Sequence, residues 1–252
     1  MENAVRLKRE IAWLIDEKYG GVITPEADKD IKCLKAGEPV AYVIGFVDFL
    51  GCRIDLSRRP LIPRPETEYW VQAAIQEIKD GGHAPSSLLD IFSGSGCIGL
   101  AAARHFPGAS VDFAEKNPDF TLQIQTNVEE NAIATGRYTV IQSDVFQNIS
   151  RAYDAIFANP PYIKESQKWN VEKSVLENEP HDALFAPDEG LYYIKKFISE
   201  SPPHLNNGGA LYLEFDSWQC ADIQALAAKS HFSDIDMRRD QYGEWRWARF
   251  MK

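Results

Sequence analysis

From Glu66 onward the chain alternates helix-length stretches with short apolar runs: SLLDIF at 87–92, SVDFA at 110–114, YTVIQ at 138–142, DAIFA at 154–158 and GALYLEF at 209–215. Such runs are strand-length, and several are apolar at nearly every position, so both of their faces must be covered. A sheet that receives a helix between strands is mostly parallel, with helices on both sides. Two further strand candidates, near 233–238 and 245–250 (WRWARF), close the chain as an antiparallel edge. The expected fold class is therefore α/β with a Rossmann-like sheet.

What precedes this alternation is smaller and of another type. Residues 3–19 set Val5, Ile11, Ala12, Leu14 and Ile15 among charged positions and stop at Gly20-Gly21, the pattern of an amphipathic helix. A second short helix is expected from about Ala27 to Ala36. The run VAYVIGFVDF, the turn Leu50-Gly51 and CRIDL then read as a β-rich hairpin. This gives a short helical head over 1–37, a hairpin linker over 38–60 and the α/β domain over 61–252. A stretch rich in Lys, Glu and Asn, from about 164 to 189, reads as a loop.

Composition narrows the function classes. No run approaches the roughly 18 apolar residues of a membrane span, and the first residues, MENAVRLKRE, lack a leader pattern, so a cytoplasmic protein is expected. Cys33, Cys52, Cys97 and Cys220 lie too far apart for paired metal-ligand spacing and read as reduced thiols. A net charge of −10 weighs against gripping a polyanion over a wide surface, so no extensive nucleic-acid binding is expected.

The chemistry gathers at strand ends. Strand 87–92 runs into Ser93-Gly94-Ser95-Gly96-Cys97-Ile98-Gly99 and then a helix. Glycines there permit a tight turn and close approach to a ligand, and the helix start offers free N–H groups. Asp90, just before the loop, is placed to face the ammonium of a methionine moiety. Glu115, about 20 residues on at the end of the next strand, suits the two hydroxyls of an adenosine ribose. Asp144, after the third strand, suits the exocyclic amine of adenine. Three such strand ends around one crevice imply an adenosine-bearing ligand.

After the fourth strand comes Asn159-Pro160-Pro161-Tyr162. An amide nitrogen is a poor nucleophile because its lone pair is delocalised, so a site must hold it at a fixed angle. The Asn159 side-chain oxygen and the Pro160 carbonyl can each accept one N–H of an NH2 group. Consecutive prolines preorganise those acceptors, and the Tyr162 ring can stack on a planar amide. The arrangement fits presentation of a planar nitrogen to a methyl sulfonium.

With these motifs in view, the chain resembles the release factor glutamine methyltransferase family, the protein-(glutamine-N(5)) methyltransferases acting on peptide chain release factors. The resemblance covers roughly residues 38–252 and is carried by EPVAYVIG (38–45), LIPRPETE (61–68), Asp90 through Gly99 and Asn159 through Ile163. Glu179-Pro180, Asp188-Glu189-Gly190-Leu191 and Leu213-Glu214 also fit. It implies a class I S-adenosylmethionine methyltransferase that modifies the glutamine of a Gly-Gly-Gln motif, with the arm Ile62–Glu68 near cofactor and target. By position it assigns Phe92, Ser93, Gly94, Ser95, Gly96, Glu115, Asp144, Val145 and Asn159 to the cofactor. Asn159, Pro160, Pro161 and Tyr162 fall to the glutamine clamp, with Asn159, Pro160 and Tyr162 catalytic. Two departures stand out: Phe92 replaces the first glycine of the usual loop, and the head is shorter than the usual bundle.

Three other readings stay open at this level. Asn-Pro-Pro-Tyr also occurs in methyltransferases of adenine or guanine nitrogens. Gly94, Gly96 and Gly99 satisfy the dinucleotide spacing of a nicotinamide enzyme, which would leave Asn159–Tyr162 without a task. A degenerate fold that binds without turnover is the third. Arg64, Glu66 and Thr67 read either as a polar wall or as an ordinary capped helix start.

Overall fold

The computed structural model describes residues 2–230 and 232–252. The head comprises α1 (Glu2–Tyr19), α2 (Pro25–Lys35) and α3 (Val40–Ile44). The Thr24 side chain accepts the Ala27 N–H at the start of α2, which the proline at its first position also favours. Leu14, Leu34, Val43 and Ile44 form a small core of their own. Residues 40–44, read above as strand, are instead a helical turn. The Val and Ile content suggested a strand, but Gly45 at φ 100° ends the turn in the left-handed region and four of its five residues are buried.

The hairpin is therefore shorter than expected: β1 (Phe46–Phe49) pairs antiparallel with β2 (Cys52–Asp55). Leu50 and Gly51 between them both hold positive φ, 46° and 80°, the requirement of a two-residue turn that matches strand twist. Phe49, Cys52 and Ile54 are buried in the core of the main domain, not in that of the head.

The main domain continues through α4 (Pro65–Asp80), β3 (Ser87–Ile91), α5 (Cys97–His105), β4 (Ser110–Glu115), α6 (Pro118–Glu130), β5 (Tyr138–Gln142) and β6 (Tyr153–Ala158). Then come β7 (Ile163–Lys164), α7 (Lys173–Asn178), β8 (Phe185–Ala186), α8 (Tyr192–Glu200), β9 (Leu205–Glu214), α9 (Cys220–Ala227), β10 (Asp234–Arg239) and β11 (Trp245–Met251). Seven strands form one sheet in the order β10-β11-β9-β6-β3-β4-β5. The five from β9 to β5 are parallel, while β11 and β10 run antiparallel at the edge. This is the α/β class read from the alternation of elements.

Each sheet face buries its own core. One holds Trp70, Phe157, Tyr212 and Trp247 beneath α4 to α6, and the other holds Ile156, Phe197, Leu213 and Phe250 beneath α8 and α9. The stretch 164–189, expected as a loop, contains a 3₁₀ turn at 165–170, α7, a second 3₁₀ turn at 181–183 and β8, which pairs in parallel with β7. The strand order reverses between β3 and β6, and that reversal opens a crevice at their C-terminal ends.

Candidate active site

The crevice is a cavity of about 740 Å³. Phe92, Ser93, Gly94, Ser95, Glu115, Asp144, Val145, Asn159 and Pro161 line it, together with Leu61–Arg64 of the arm. Three residues that the resemblance assigns to the site lie off its wall. Gly96 starts α5 at φ 80°, and a Cβ there would sit 3.3 Å from Ile124. Its work is to let α6 close on the loop. Pro160 and Tyr162 face a second cavity of about 940 Å³, which meets the first at Asn159 and the arm.

The glycine loop is held by its acidic neighbours. Gly94 N–H donates to Glu115 Oε2 and Asn117 N–H to Glu115 Oε1, both at 2.8 Å. Burial pushes the Glu115 pKa above its ordinary value, against the pull of those N–H donors. Asp90 does not line the cavity. Its Oδ2 accepts the Gly99 N–H at 2.8 Å, its Oδ1 is buried without a partner, and burial raises its pKa well above the carboxylate range. One oxygen of Asp90 thus secures the start of α5, and the other is left without a protein partner behind the loop. Gly99 must be glycine, since a Cβ would overlap Phe113 and lie 2.9 Å from the Asp90 Cβ.

Asp144 is half-exposed, between Lys116 at 3.1 Å and Lys196 at 3.6 Å. Val145, beside it, holds φ 54°, and the Ser143 hydroxyl donates to its carbonyl at 2.7 Å. Phe92 also holds a positive φ, 61°, with its ring edge-on to Tyr193 and Phe197. The backbone therefore takes the shape a glycine would give, with an aromatic ring mounted on it.

Below Asn159 lies a polar cluster that sequence reasoning only touched. Glu214, at the end of β9 and 2 % exposed, accepts hydrogen bonds from three side chains. Thr67 Oγ1 donates to Oε2 at 2.7 Å, Trp70 Nε1 donates to the same oxygen, and Tyr162 Oη donates to Oε1 at 3.0 Å. Asn159 Nδ2 in turn donates to Thr67 Oγ1 at 3.3 Å. Burial raises the Glu214 pKa while the three donors and the nearby Arg246 oppose that rise. Burial lifts the Tyr162 phenol far above its ordinary value, and the neighbouring Glu214 adds to the rise. The signal in the sequence was a carboxylate closing an otherwise apolar strand, GALYLEF.

The arm is fixed separately. Arg64 pairs at 2.7 Å with Glu179, whose side chain is almost wholly buried, and the Ile62 N–H donates to the same carboxylate at 3.1 Å. The wall of Arg64, Glu66 and Thr67 does not exist as one unit: Arg64 turns to Glu179, Thr67 to Glu214, and Glu66 stays in the first turn of α4.

The chain is similar to several known proteins. The family model for the methyltransferase small domain matches residues 75–186. A release factor glutamine methyltransferase from Flavobacterium psychrophilum is 33 % identical over 214 residues, covering 83 % of this chain and 74 % of that protein. The protein of the same name from Streptococcus pneumoniae is 35 % identical over 213 residues, covering 84 % and 74 %. Among solved structures, a methyltransferase from Pyrococcus furiosus aligns with TM-score 0.60 at 19 % identity over 91 % of this chain and 99 % of that one. The Thermus thermophilus 16S rRNA N2 G1207 methyltransferase, solved with AdoMet and guanosine, aligns with TM-score 0.61 at 18 % identity over 82 % and 49 %. Identities this low speak to the fold alone.

Proposed function

The chain belongs to the release factor glutamine methyltransferase family, and from that premise we propose that it transfers a methyl group from S-adenosylmethionine to the side-chain amide nitrogen of a release-factor glutamine. The observation that carries this reading is Asn159 at the junction of two cavities, one for the donor and one for the protein substrate.

The donor cavity fits S-adenosylmethionine in size and chemistry. Each Glu115 oxygen accepts one backbone N–H and keeps a lone pair for a ribose hydroxyl. Asp144 and Val145 border the space for adenine, and Phe92 through Gly96 supply the loop for the methionine end. When bound, S-adenosylmethionine supplies an electrophilic methyl group on a cationic sulfur.

The chain's own residues bind and aim the nucleophile. Among the described residues neither Asn159 Oδ1 nor the Pro160 carbonyl accepts a protein hydrogen bond, so each is available to one N–H of the glutamine NH2. Held by both, the amide nitrogen has its in-plane N–H groups occupied and turns one face, where the lone pair lies, toward the donor cavity, while Tyr162, fixed through Glu214, offers its ring to the other face. With S-adenosylmethionine bound, a nitrogen so held would be aligned for methyl transfer as the S–C bond opened, its proton passing to water. Orientation of this kind supplies up to roughly 7–11 kcal/mol of the barrier.

The expected head (1–37), hairpin linker (38–60) and catalytic domain (61–252) serve as functional units once α3 (Val40–Ile44) is moved from the linker to the head, with the second cavity between head and arm as the path of the protein substrate. A cytoplasmic location suits a translation-factor substrate; no described helix is long and apolar enough to cross a membrane. The test is transfer from labelled S-adenosylmethionine to a purified release factor with its native Gly-Gly-Gln loop or a Gln→Ala version. Label on the first and not the second is expected. No label on either, with cofactor binding intact, overturns the reading.

A further inference from the structure

The Thr67 hydroxyl sits between two side chains and has one proton. Glu214 Oε2 takes that proton at 2.7 Å, the shorter of the two contacts. The same Oε2 accepts from the Trp70 indole N–H, which can only donate, so this oxygen is an acceptor for both of its partners. With its proton committed to Glu214, Thr67 Oγ1 can only accept from Asn159. The amide end of Asn159 must then point at Thr67, and its carbonyl end must point away.

The two faces of the Asn159 amide differ in what they bind. A carbonyl turned to the substrate accepts an N–H and so suits the NH2 of glutamine. An NH2 turned outward suits a glutamate carboxylate. We propose that Thr67, charged from behind by Glu214, is a positioning residue that fixes the Asn159 amide carbonyl-outward and thereby selects a glutamine side chain over glutamate. This rests on the methyltransferase reading above. Sites built to accept a substrate N–H reject analogues lacking it strongly, because the buried acceptor is left unpaired.

The test uses the full chain and three variants. Thr67→Val keeps the shape of the side chain and removes the hydroxyl, Thr67→Ser restores it, and Glu214→Leu removes the oxygen that accepts the Thr67 proton. Each is assayed for kcat on a native release factor, for the Kd of S-adenosylmethionine, and for inhibition by the same factor carrying Gln→Glu in its Gly-Gly-Gln loop. For Thr67→Val, kcat is expected to fall about 10- to 100-fold, with cofactor Kd within about twofold as the sign of a folded protein. Inhibition by the Gln→Glu factor strengthens about tenfold relative to wild type, as the freed amide turns over. Thr67→Ser recovers most of the rate and the discrimination, and Glu214→Leu repeats the loss of discrimination seen with valine, since the Thr67 proton is then free to turn to Asn159.

A Thr67→Val protein that turns over within about twofold of wild type, or that loses rate with unchanged glutamine-to-glutamate discrimination, overturns the proposal. If Thr67→Val does not fold, Glu214→Leu decides by the same readouts. Wild-type protein that binds cofactor but labels no release factor would instead remove the functional reading, and this proposal with it.

Discussion

At residue 92 the backbone and the side chain make opposing demands. A non-glycine residue at φ 61° costs on the order of 1–2 kcal/mol, while the Phe92 ring is packed edge-on against Tyr193 and Phe197. Phe92→Ala would lose the ring and keep the strain, whereas Phe92→Gly would lose the ring and shed it. Urea denaturation should therefore rank the glycine variant above the alanine variant by about 1 kcal/mol, the reverse of the order in a helix. The sequence shows the missing glycine, but only the dihedral shows that the loop kept its shape. Gly99 makes the complementary case. A methyl group there overlaps Phe113 and crowds Asp90, so Gly99→Ala should lose about 1–3 kcal/mol and weaken cofactor binding measured by calorimetry.

Among the elements, the N-terminal end of the parallel sheet is tied by one carboxylate. Asp154 at the start of β6 accepts the Ser86 and Ser87 N–H groups and the Asn206 side chain, joining β3 to β9. Burial alone would raise its pKa; these donors outweigh it and hold the value at about 2. A folded value below the unfolded one, near 3.9, adds stability that is present above about pH 4 and lost as pH falls toward 2. Asp154→Asn should flatten that acid slope in urea midpoints measured between pH 5 and 2.5. The strands carrying such anchors were legible because apolar runs announce them. Residues 40–44 were not, since a five-residue turn of Val, Ala, Tyr and Ile carries strand-like types, and only burial against α1 and α2 makes it helical. The order within 164–189 escaped for a related reason: β7 and β8 are two residues each, with a partner more than 20 residues away. At the site, Asn159 to Tyr162 and the glycine loop were readable as contiguous motifs, whereas the link from Thr67 to Glu214 spans 147 positions that only the fold brings together.

Across the whole molecule, the head is small but not detached. Arg6 of α1 pairs with Glu172 just before α7 at 3.0 Å, and Arg59 bridges Glu38 and Asn178. Arg6, Glu38 and Glu172 of these contacts line the second cavity, as do Asn159, Pro160 and Tyr162. Trp13 lines that cavity and is 49 % exposed. A large aromatic at the mouth of a groove is the kind of side chain that anchors a protein partner. If the groove is the substrate path, Trp13→Ala should raise KM for the release factor about 5- to 30-fold, the effect of losing one aromatic anchor. Because Trp13 does not line the donor cavity, kcat at saturating factor and the Kd of S-adenosylmethionine should stay as in wild type. Steady-state kinetics with the intact factor, set beside an isolated Gly-Gly-Gln peptide too short to reach the head, separates docking from catalysis. The peptide should be indifferent to the substitution, and a loss of rate on the peptide would place Trp13 in the fold of the catalytic site instead of in substrate docking.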